Sequence, residues 1–219
     1  DITRKRTSRS NPRRFLHNGP GRDLTLTDII EAPDRQTHLM QQTFRRALTA
    51  LSEPLRPLVL PAIPAPPGIR PALWALVLTL LDRDVTVFWP GITATTQSNL
   101  MFHTGTRLTE MPEDADWLVL DVADPKAEQF LSRASIGCHE RPDAAATILL
   151  LVSNDATEVL AQGPGFKDPT YLNLQLPESL VTRLIQNNHQ YPLGVDCFLV
   201  TEHSVSGLPR STRLTMRTD

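Results

Sequence analysis

The sequence predicts a three-layer α/β domain, in which helices cover both faces of a mixed central sheet. Residues 147–152 read T-I-L-L-L-V, and a continuously apolar run of this kind is typical of a strand that is covered on both faces. A second apolar strand at 195–200 is followed by a short segment at 203–205 that returns as a hairpin. Because strands and helices alternate through most of the chain, we expect a mixed sheet that is antiparallel at its hairpins.

Composition places the chain among ordinary globular proteins. Of its 219 residues, 40% are hydrophobic and 21% are charged, and a chain of this length can bury a substantial core. Its two cysteines, Cys138 and Cys197, are too few for a disulfide framework, so we expect a cytoplasmic protein. Cys197 lies inside an apolar run and is predicted to be a small core residue. No apolar run in the sequence is long enough to span a membrane.

The formal net charge of -2 conceals a basic segment at the start of the sequence. Residues 1–23 contain seven Lys or Arg and two Asp, so the remainder is acidic overall. This segment is polar and aperiodic, which predicts a basic disordered tail at 1–23 and a single α/β domain at 24–219. The tail lacks the amphipathic face of a transit peptide, and we favour a solvated extension over a nucleic-acid-binding arm.

The first predicted element is a helix over residues 34–51. Met40, Phe44, Leu48 and Leu51 recur at spacings of four, four and three residues, which is the period of one helical face. We expect these side chains to form the buried stripe of the helix, and Asp34 is a suitable N-cap.

Proline and threonine define the next elements. The segment 54–71 is rich in proline, and its only predicted strand is at 59–60. Pro71 suits the first turn of a helix at 72–81, which is apolar on most sides and is therefore expected to be buried. Strands are predicted at 85–89 and 117–120, separated by a short helix that is capped by Thr95 or Thr96 and runs towards Met101.

The second half of the chain continues the alternation of strands and helices. Asp124 and Pro125 open a helix that extends to about Arg133. Residues 157–162 are predicted to pair back on the apolar strand at 147–152 as the second strand of a hairpin. A helix at 178–186 follows, with one apolar face made of Leu180, Val181, Leu184 and Ile185.

The segment after the last hairpin contains the main candidate for a binding site. Arg210, Ser211 and Thr212 place a cation and two hydroxyl groups together, as a site for an anion or a contact with a partner. His103 is a weaker second candidate, because a structural imidazole bonded to nearby backbone is more common. Gly163-Pro164-Gly165 could cradle a phosphate, but no Lys-Ser or Lys-Thr follows it, and a turn is the favoured interpretation.

No catalytic residue or metal site emerges from the sequence patterns. Cysteine and histidine are scattered without the paired spacing of a zinc site, so no metal is predicted. Lys126 and Lys167 adjoin Asp-Pro dipeptides and are expected to be exposed, whereas Schiff-base chemistry needs a buried lysine. Composition and spacing by themselves therefore do not indicate an enzyme.

Six stretches, taken in order, resemble one protein family. They are F-R-R-A-L-T-A-L-S-E-P at 44–54, N-L-M-F-H-T-G-T at 99–106, P-D-A-A-A-T-I-L-L at 142–150, G-P-G-F at 163–166, Y-P-L-G-V-D at 191–196 and L-P-R-S-T at 208–212. Together they resemble the H subunit of the bacterial carbon–phosphorus lyase core complex over roughly residues 33–213. The family usually has Gly where Leu55 stands and an aliphatic residue where Phe166 stands.

The resemblance implies a fold similar to that of pyridoxal-phosphate-dependent transferases, but without the cofactor lysine and with no cofactor. It implies a homodimer that joins a nucleosidase-like subunit, a small subunit and a radical S-adenosylmethionine subunit. The implied reaction of that complex forms ribose 1-alkylphosphonate 5-triphosphate from ATP and an alkylphosphonate, with release of adenine. We therefore expect a subunit of this complex. The alternatives are a structural dimer that only holds the partner subunits, or an independent enzyme with a vestigial transferase pocket.

Overall fold

The computed structural model of the protein describes residues 29–33, 35–153 and 155–217. The described helices are α1 (Gln36–Ser52), α2 (Pro71–Leu80), α3 (Ala94–Thr104), α4 (Ala127–Arg133) and α5 (Glu178–Asn188). The described strands are β1 (Leu58–Val59), β2 (Thr86–Phe88), β3 (Arg107–Leu108), β4 (Trp117–Asp121), β5 (Thr147–Leu151), β6 (Thr157–Gln162), β7 (Thr170–Leu174), β8 (Asp196–Val200), β9 (Ser204–Leu208) and β10 (Arg213–Met216). The predicted tail at 1–23 and the predicted N-cap Asp34 lie outside the described residues.

The strands of the described residues pair into two sheets. The larger sheet has the strand order β1-β9-β8-β5-β4-β2-β3, and the smaller sheet has the order β10-β6-β7. In the larger sheet β3, β2, β4, β5 and β8 pair in parallel, whereas β9 pairs antiparallel with β8 and with β1. Parallel strands need long crossover connections, and the intervening helices provide them. The predicted α/β domain with a mixed central sheet is confirmed.

Helices lie on both faces of the larger sheet. Successive side chains of a strand point to opposite faces, so Leu118 and Ile148 join one apolar cluster while Val119 and Leu149 join the other. The first cluster includes buried residues of α4 and α5, and the second includes those of α1, α2 and α3. The described elements therefore form a layer of helices on each side of the sheet.

The hairpin predicted between residues 147–152 and 157–162 is wrong. β5 lies between two parallel neighbours, β4 and β8, so both of its edges are already paired. β6 pairs instead with β7 and β10, two strands that the sequence patterns do not predict. Burial alternates along β6, with Val159 and Ala161 buried between partly exposed neighbours. That period is typical of an antiparallel sheet with one face on the core.

The buried face of α1 differs from the predicted stripe of Met, Phe and Leu side chains. Thr43, Ala47 and Ala50 are buried, whereas Phe44 and Leu48 are 46% and 53% exposed. Helical periodicity is therefore present in this segment, but it does not mark the face that packs on the core.

The close approach of α1 to β9 explains which face is buried. A Cβ atom on Gly207 of β9 would lie 2.3 Å from the carbonyl oxygen of Ala50. Glycine is needed on the strand because the helix backbone lies directly against it, and small side chains on the helix permit the same contact. Of the predicted stripe, Phe44 and Leu48 are thus exposed, whereas Leu51, next to Ala50, is partly buried and packs against the cluster of α1, α2 and α3.

Leu55, just after α1, has a backbone φ of 62°, in the left-handed region that favours glycine. The Leu55 side chain is buried in the cluster that contains α4 and α5, and its N–H donates to the Gly207 carbonyl oxygen at 2.8 Å. Apolar burial and this hydrogen bond offset the backbone strain.

Cys197 of β8 is expected to resist thiol reagents. It is buried, as predicted, and burial raises the pKa of its thiol, with a further rise from the Asp196 carboxylate, whereas Cys138 is exposed. Because the thiolate is the reactive form, a disulfide-exchange reagent at about pH 8 should label Cys138 quickly and Cys197 only after denaturation. A Cys138→Ser variant should lose the fast phase, and fast labelling of that variant would contradict the burial of β8.

Candidate functional site

Arg210 follows β9, the strand that pairs with β8 as the expected antiparallel hairpin. Its guanidinium group contacts the carboxylate of Asp196 at the start of β8, with Nε 3.1 Å and Nη2 2.6 Å from Oδ2. Nη1 donates to the Pro142 carbonyl oxygen at 2.9 Å. The side chain therefore ties the loop after β9 to β8 and to the segment that precedes β5.

The Arg210–Asp196 pair is largely shielded from water. The side chains are 16% and 26% exposed, and the Asp196 carboxylate also accepts from the Arg210 backbone N–H at 2.8 Å. The Arg210 carbonyl oxygen accepts from Asn188 Nδ2 at 2.9 Å. These contacts neutralise the cation and hold its loop, which is a structural role. They do not test the predicted anion-binding or interface role of Arg210, which stays a prediction.

Ser211 and Thr212 have different surroundings. Thr212 is 2% exposed, and among the described residues its Oγ1 has no hydrogen-bond partner. Its backbone N–H donates to the Pro209 carbonyl oxygen at 2.9 Å. Ser211 is half-buried and lines a pocket next to the Arg210 loop. The predicted roles of both hydroxyl groups stay predictions.

This pocket, called the β6–β10 pocket below, has a volume of about 350 Å³. The described residues that line it are Gln162, Gly163, Pro164, Asn188, Tyr191, Ser211 and Arg213. Gln162 and Arg213 are partners across the antiparallel β6–β10 ladder, so their side chains lie on the same face of the smaller sheet. The end of α5 and Tyr191 provide the other walls. Residues far apart in sequence thus form one polar concavity.

Gly163-Pro164-Gly165 forms a turn, which confirms the favoured interpretation of that sequence. The φ angles of Gly163 and Gly165 are 130° and 90°. The Phe166 N–H donates to the Gly163 carbonyl oxygen at 3.1 Å and closes the turn. The turn also forms part of the wall of the β6–β10 pocket, so its position next to a cavity is a feature that the sequence does not reveal.

His103 lies on α3 and does not line the β6–β10 pocket. Its Nε2 is 3.0 Å from the Ile30 carbonyl oxygen, and its ring packs edge-on against the rings of Trp74 and Phe102. The Ile30 N–H donates to Asn99 Oδ1 at 2.9 Å, so two side chains of α3 hold the segment at 29–33. This is the structural imidazole that the sequence analysis considers more common, and the weaker anion-binding role of His103 stays a prediction.

Two residues of this region are not among the candidates chosen from sequence. Asp196 ends the Y-P-L-G-V-D stretch, and a carboxylate at the start of a buried strand signals the need for a cationic partner. Arg213 opens β10, a strand that has no clear local signal. The register of β10 against β6, which places Arg213 in the pocket, depends on residues about 50 positions earlier.

Arg70 is a further cation with a role that only the fold reveals. Its Nη1 donates to the carbonyl oxygens of Val152 and Val200 at 3.0 and 2.7 Å. These carbonyls lie just beyond β5 and at the end of β8, where the carboxyl ends of parallel strands meet. Ligands of open α/β sheets usually bind at that edge. In this chain, part of the edge is occupied by Arg70.

The remaining sequence expectations concern lysines, metal ligands and membrane spans. Lys126 and Lys167 are exposed, as predicted. Within residues 29–33, 35–153 and 155–217, no three His, Cys, Asp or Glu side chains are grouped as metal ligands. In the same ranges, no helix is both long and apolar enough to cross a membrane. The candidate site accordingly consists of the Arg210–Asp196 pair and the adjacent β6–β10 pocket.

The fold and this site define an α/β protein with a mixed sheet and a polar pocket beside a shielded ion pair. The chain belongs to the PhnH family of bacterial phosphonate metabolism proteins, whose family model matches residues 32–215. The match extends from the segment before α1 into β10, so it includes both sheets and the candidate site. The resemblance drawn from the six sequence stretches is confirmed.

Two curated relatives are similar over most of their lengths. Alpha-D-ribose 1-methylphosphonate 5-triphosphate synthase subunit PhnH of Rhizobium meliloti (strain 1021) is 29% identical over 160 residues, which cover 70% of this chain and 77% of the relative. The putative C-P lyase subunit protein HtxG of Stutzerimonas stutzeri is 28% identical over 193 residues, which cover 86% of this chain and 90% of the relative. Both relatives are named as subunits.

Proposed function

We propose that this chain is a subunit of a carbon–phosphorus lyase complex and takes part in forming ribose 1-alkylphosphonate 5-triphosphate. In that step the glycosidic bond of ATP breaks, a phosphonate oxygen bonds to the ribose C1′ carbon, and adenine leaves. The family match over residues 32–215 is the observation that supports the assignment. The name of the Rhizobium meliloti relative supports the choice of step.

The geometry favours a contribution through assembly and ligand positioning over bond-making by this chain. Arg210, the cation singled out from the sequence, is neutralised by Asp196. Phe44 and Leu48, one helical turn apart on α1, are exposed, and neighbouring exposed apolar side chains suit association with other protein chains. The bond-making groups are accordingly assigned to a partner subunit.

The proposed partners are a second copy of the chain, a nucleosidase-like subunit, a small subunit and a radical S-adenosylmethionine subunit, all in the cytoplasm. The nucleosidase-like subunit is proposed to carry out the bond-making chemistry. ATP and the phosphonate are proposed to reach this chain as part of the assembled complex. We also propose that the fold is similar to that of pyridoxal-phosphate-dependent transferases that have lost the cofactor lysine. The mixed α/β sheet and the exposed Lys126 and Lys167 agree with that proposal.

Reconstitution tests the proposed function. The purified chain is mixed with the three other subunits, ATP and methylphosphonate, and adenine release is followed by chromatography. We expect the chain to co-elute with the other subunits and adenine release to require it. The matched controls are the partner mixture without the chain and the chain without its partners.

Each other outcome selects a different function. Full adenine release in the absence of the chain would contradict the proposal. Release by the chain alone would indicate an independent enzyme with its own transferase pocket. Co-elution with the partner subunits without any effect on the rate of adenine release would indicate a structural dimer that only holds those subunits.

A further inference from the structure

The β6–β10 pocket contains a cation that none of the described residues neutralises. Arg213 lines the pocket and is exposed. Within the described part of the chain its guanidinium group has no ion pair or hydrogen bond, although Arg210 and Arg217 are paired with Asp196 and Glu158. None of the described residues that line the pocket is acidic. The described lining of the pocket therefore carries a positive charge, which favours an anionic ligand over a cationic one.

Neutral polar groups surround this cation. Gln162 lies directly across the ladder from Arg213, and Ser211 precedes it by two residues. The side chains of Gln162 and Ser211 make no hydrogen bond to the described residues, so an amide and a hydroxyl group are available to a ligand. Asn188 also lines the pocket, and its Nδ2 is bonded to the Arg210 carbonyl oxygen. Because Arg210 is held by Asp196, this hydrogen bond fixes the position of Asn188 in the wall of the pocket.

Two further features shape the pocket. Gly163 has no side chain, and a Cβ atom there would lie 2.9 Å from the Ser211 carbonyl oxygen, so bare backbone closes one side. Tyr191, which is 61% exposed, contributes an aromatic residue to the lining. Arginine binds tetrahedral oxyanions through two parallel N–H groups, while a ring of this kind suits the organic part of a ligand.

We propose that the β6–β10 pocket binds the phosphonyl or phosphoryl end of a small ligand, an R–PO₃²⁻ group held by Arg213, Gln162 and Ser211. Its volume of about 350 Å³ is at the lower end of the range for ligand sites and accommodates an alkylphosphonate or the phosphate end of a nucleotide. The choice between these two sources rests on the proposed function, in which ATP and an alkylphosphonate are the substrates.

Calorimetric titration of the whole chain at low ionic strength tests the proposal. Methylphosphonate and ATP are the two probes, and sulfate is the control anion. We expect at least one probe to bind, and Arg213→Gln to weaken that binding by about tenfold or more, because a charge-assisted contact is lost. Arg83→Gln removes an exposed arginine from the turn between α2 and β2 and should bind like the unmodified chain.

The comparison between probes identifies the source of the bound group. Loss of methylphosphonate binding in Arg213→Gln indicates a free phosphonate, and loss of ATP binding alone indicates a nucleotide. Arg213→Lys keeps the charge and should retain part of the affinity, while an unchanged melting temperature of Arg213→Gln shows that the fold is intact. Ser211→Ala provides a second, independent reduction in affinity.

Three results would overturn the proposal. They are no binding of either probe, equal binding by the unmodified chain and Arg213→Gln, and sulfate binding as tight as that of the probes. Failure of the proposed function is a separate result, because it appears as adenine release without the chain in the reconstituted mixture. If the chain binds phosphonate but is not needed for adenine release, the proposed ligand of the pocket is supported and the proposed function is contradicted.

Discussion

Replacement of Arg210 by methionine is expected to lower the free energy of unfolding by about 2–3 kcal/mol. The substitution leaves the Asp196 carboxylate without its guanidinium partner and leaves the Pro142 carbonyl oxygen without its donor. Both groups lie where water has limited access, so hydration does not replace the lost contacts. Denaturant unfolding followed by circular dichroism measures the change.

A surface pair offers a matched control for Arg210. Arg217 and Glu158 are 56% and 40% exposed, and Arg217→Met should cost less than about 1 kcal/mol. A double-mutant cycle combines Arg210→Met with Asp196→Asn. The double variant should lose less free energy of unfolding than the two single variants lose together, because the two side chains form one interaction. Equal losses for Arg210→Met and Arg217→Met would show that the Arg210–Asp196 pair has no special structural role. That outcome would favour the predicted ligand or interface role of Arg210 over the structural one.

Gly207→Ala is expected to destabilise the protein by about 3 kcal/mol or more, with a lower melting temperature. The added methyl group would lie 2.3 Å from the Ala50 carbonyl oxygen and 2.5 Å from its carbonyl carbon. Both obstructing atoms are helix backbone, so α1 must move away from β9 to admit the methyl group. Such a movement would also disturb the hydrogen bond from the Leu55 N–H to the Gly207 carbonyl oxygen.

The neighbouring residue of β9 provides the control. Ser206 is half-buried, and successive residues of a strand point to opposite faces, so Ser206→Ala adds no atom between β9 and α1. We expect Ser206→Ala to change the free energy of unfolding by less than about 0.5 kcal/mol. If Gly207→Ala melts at the same temperature as Ser206→Ala, α1 does not lie against the backbone of β9 as described.

Elements with strong local signals could be predicted closely. The helix predicted at 72–81 is α2, with Pro71 at its first position, because proline suits a helix start and the sequence is apolar on most sides. The strands predicted at 147–152 and 195–200 are β5 and β8, because continuous apolar runs belong to covered parallel strands. The cap of α3 is displaced from the prediction, since Thr93 accepts from the Thr96 N–H. Boundaries shift where several threonines compete for one cap.

Strand pairing could be predicted only for the hairpin of β8 and β9. β3, β7 and β10 have no distinctive apolar pattern, and their pairing depends on partners elsewhere in the chain. β6 was expected beside β5, but the edges of β5 are occupied by β4 and β8. A strand cannot show in its own sequence which neighbouring edge is free, because every residue type except proline has the same backbone N–H donor and carbonyl acceptor.

The sequence by itself determined the α/β class, most of the helices and strands, and the family, because periodicity, turn residues and six ordered stretches are local properties of the chain. Only the tertiary structure decided which face of α1 is buried, since that depends on Gly207 of a distant strand. It also decided that Arg210 is neutralised by Asp196 while Arg213 borders a pocket. Arg210 and Arg213 are the same residue type three positions apart, so the sequence does not distinguish them. Their roles differ because electrostatic interactions depend on which groups folding brings within a few ångströms of each guanidinium group.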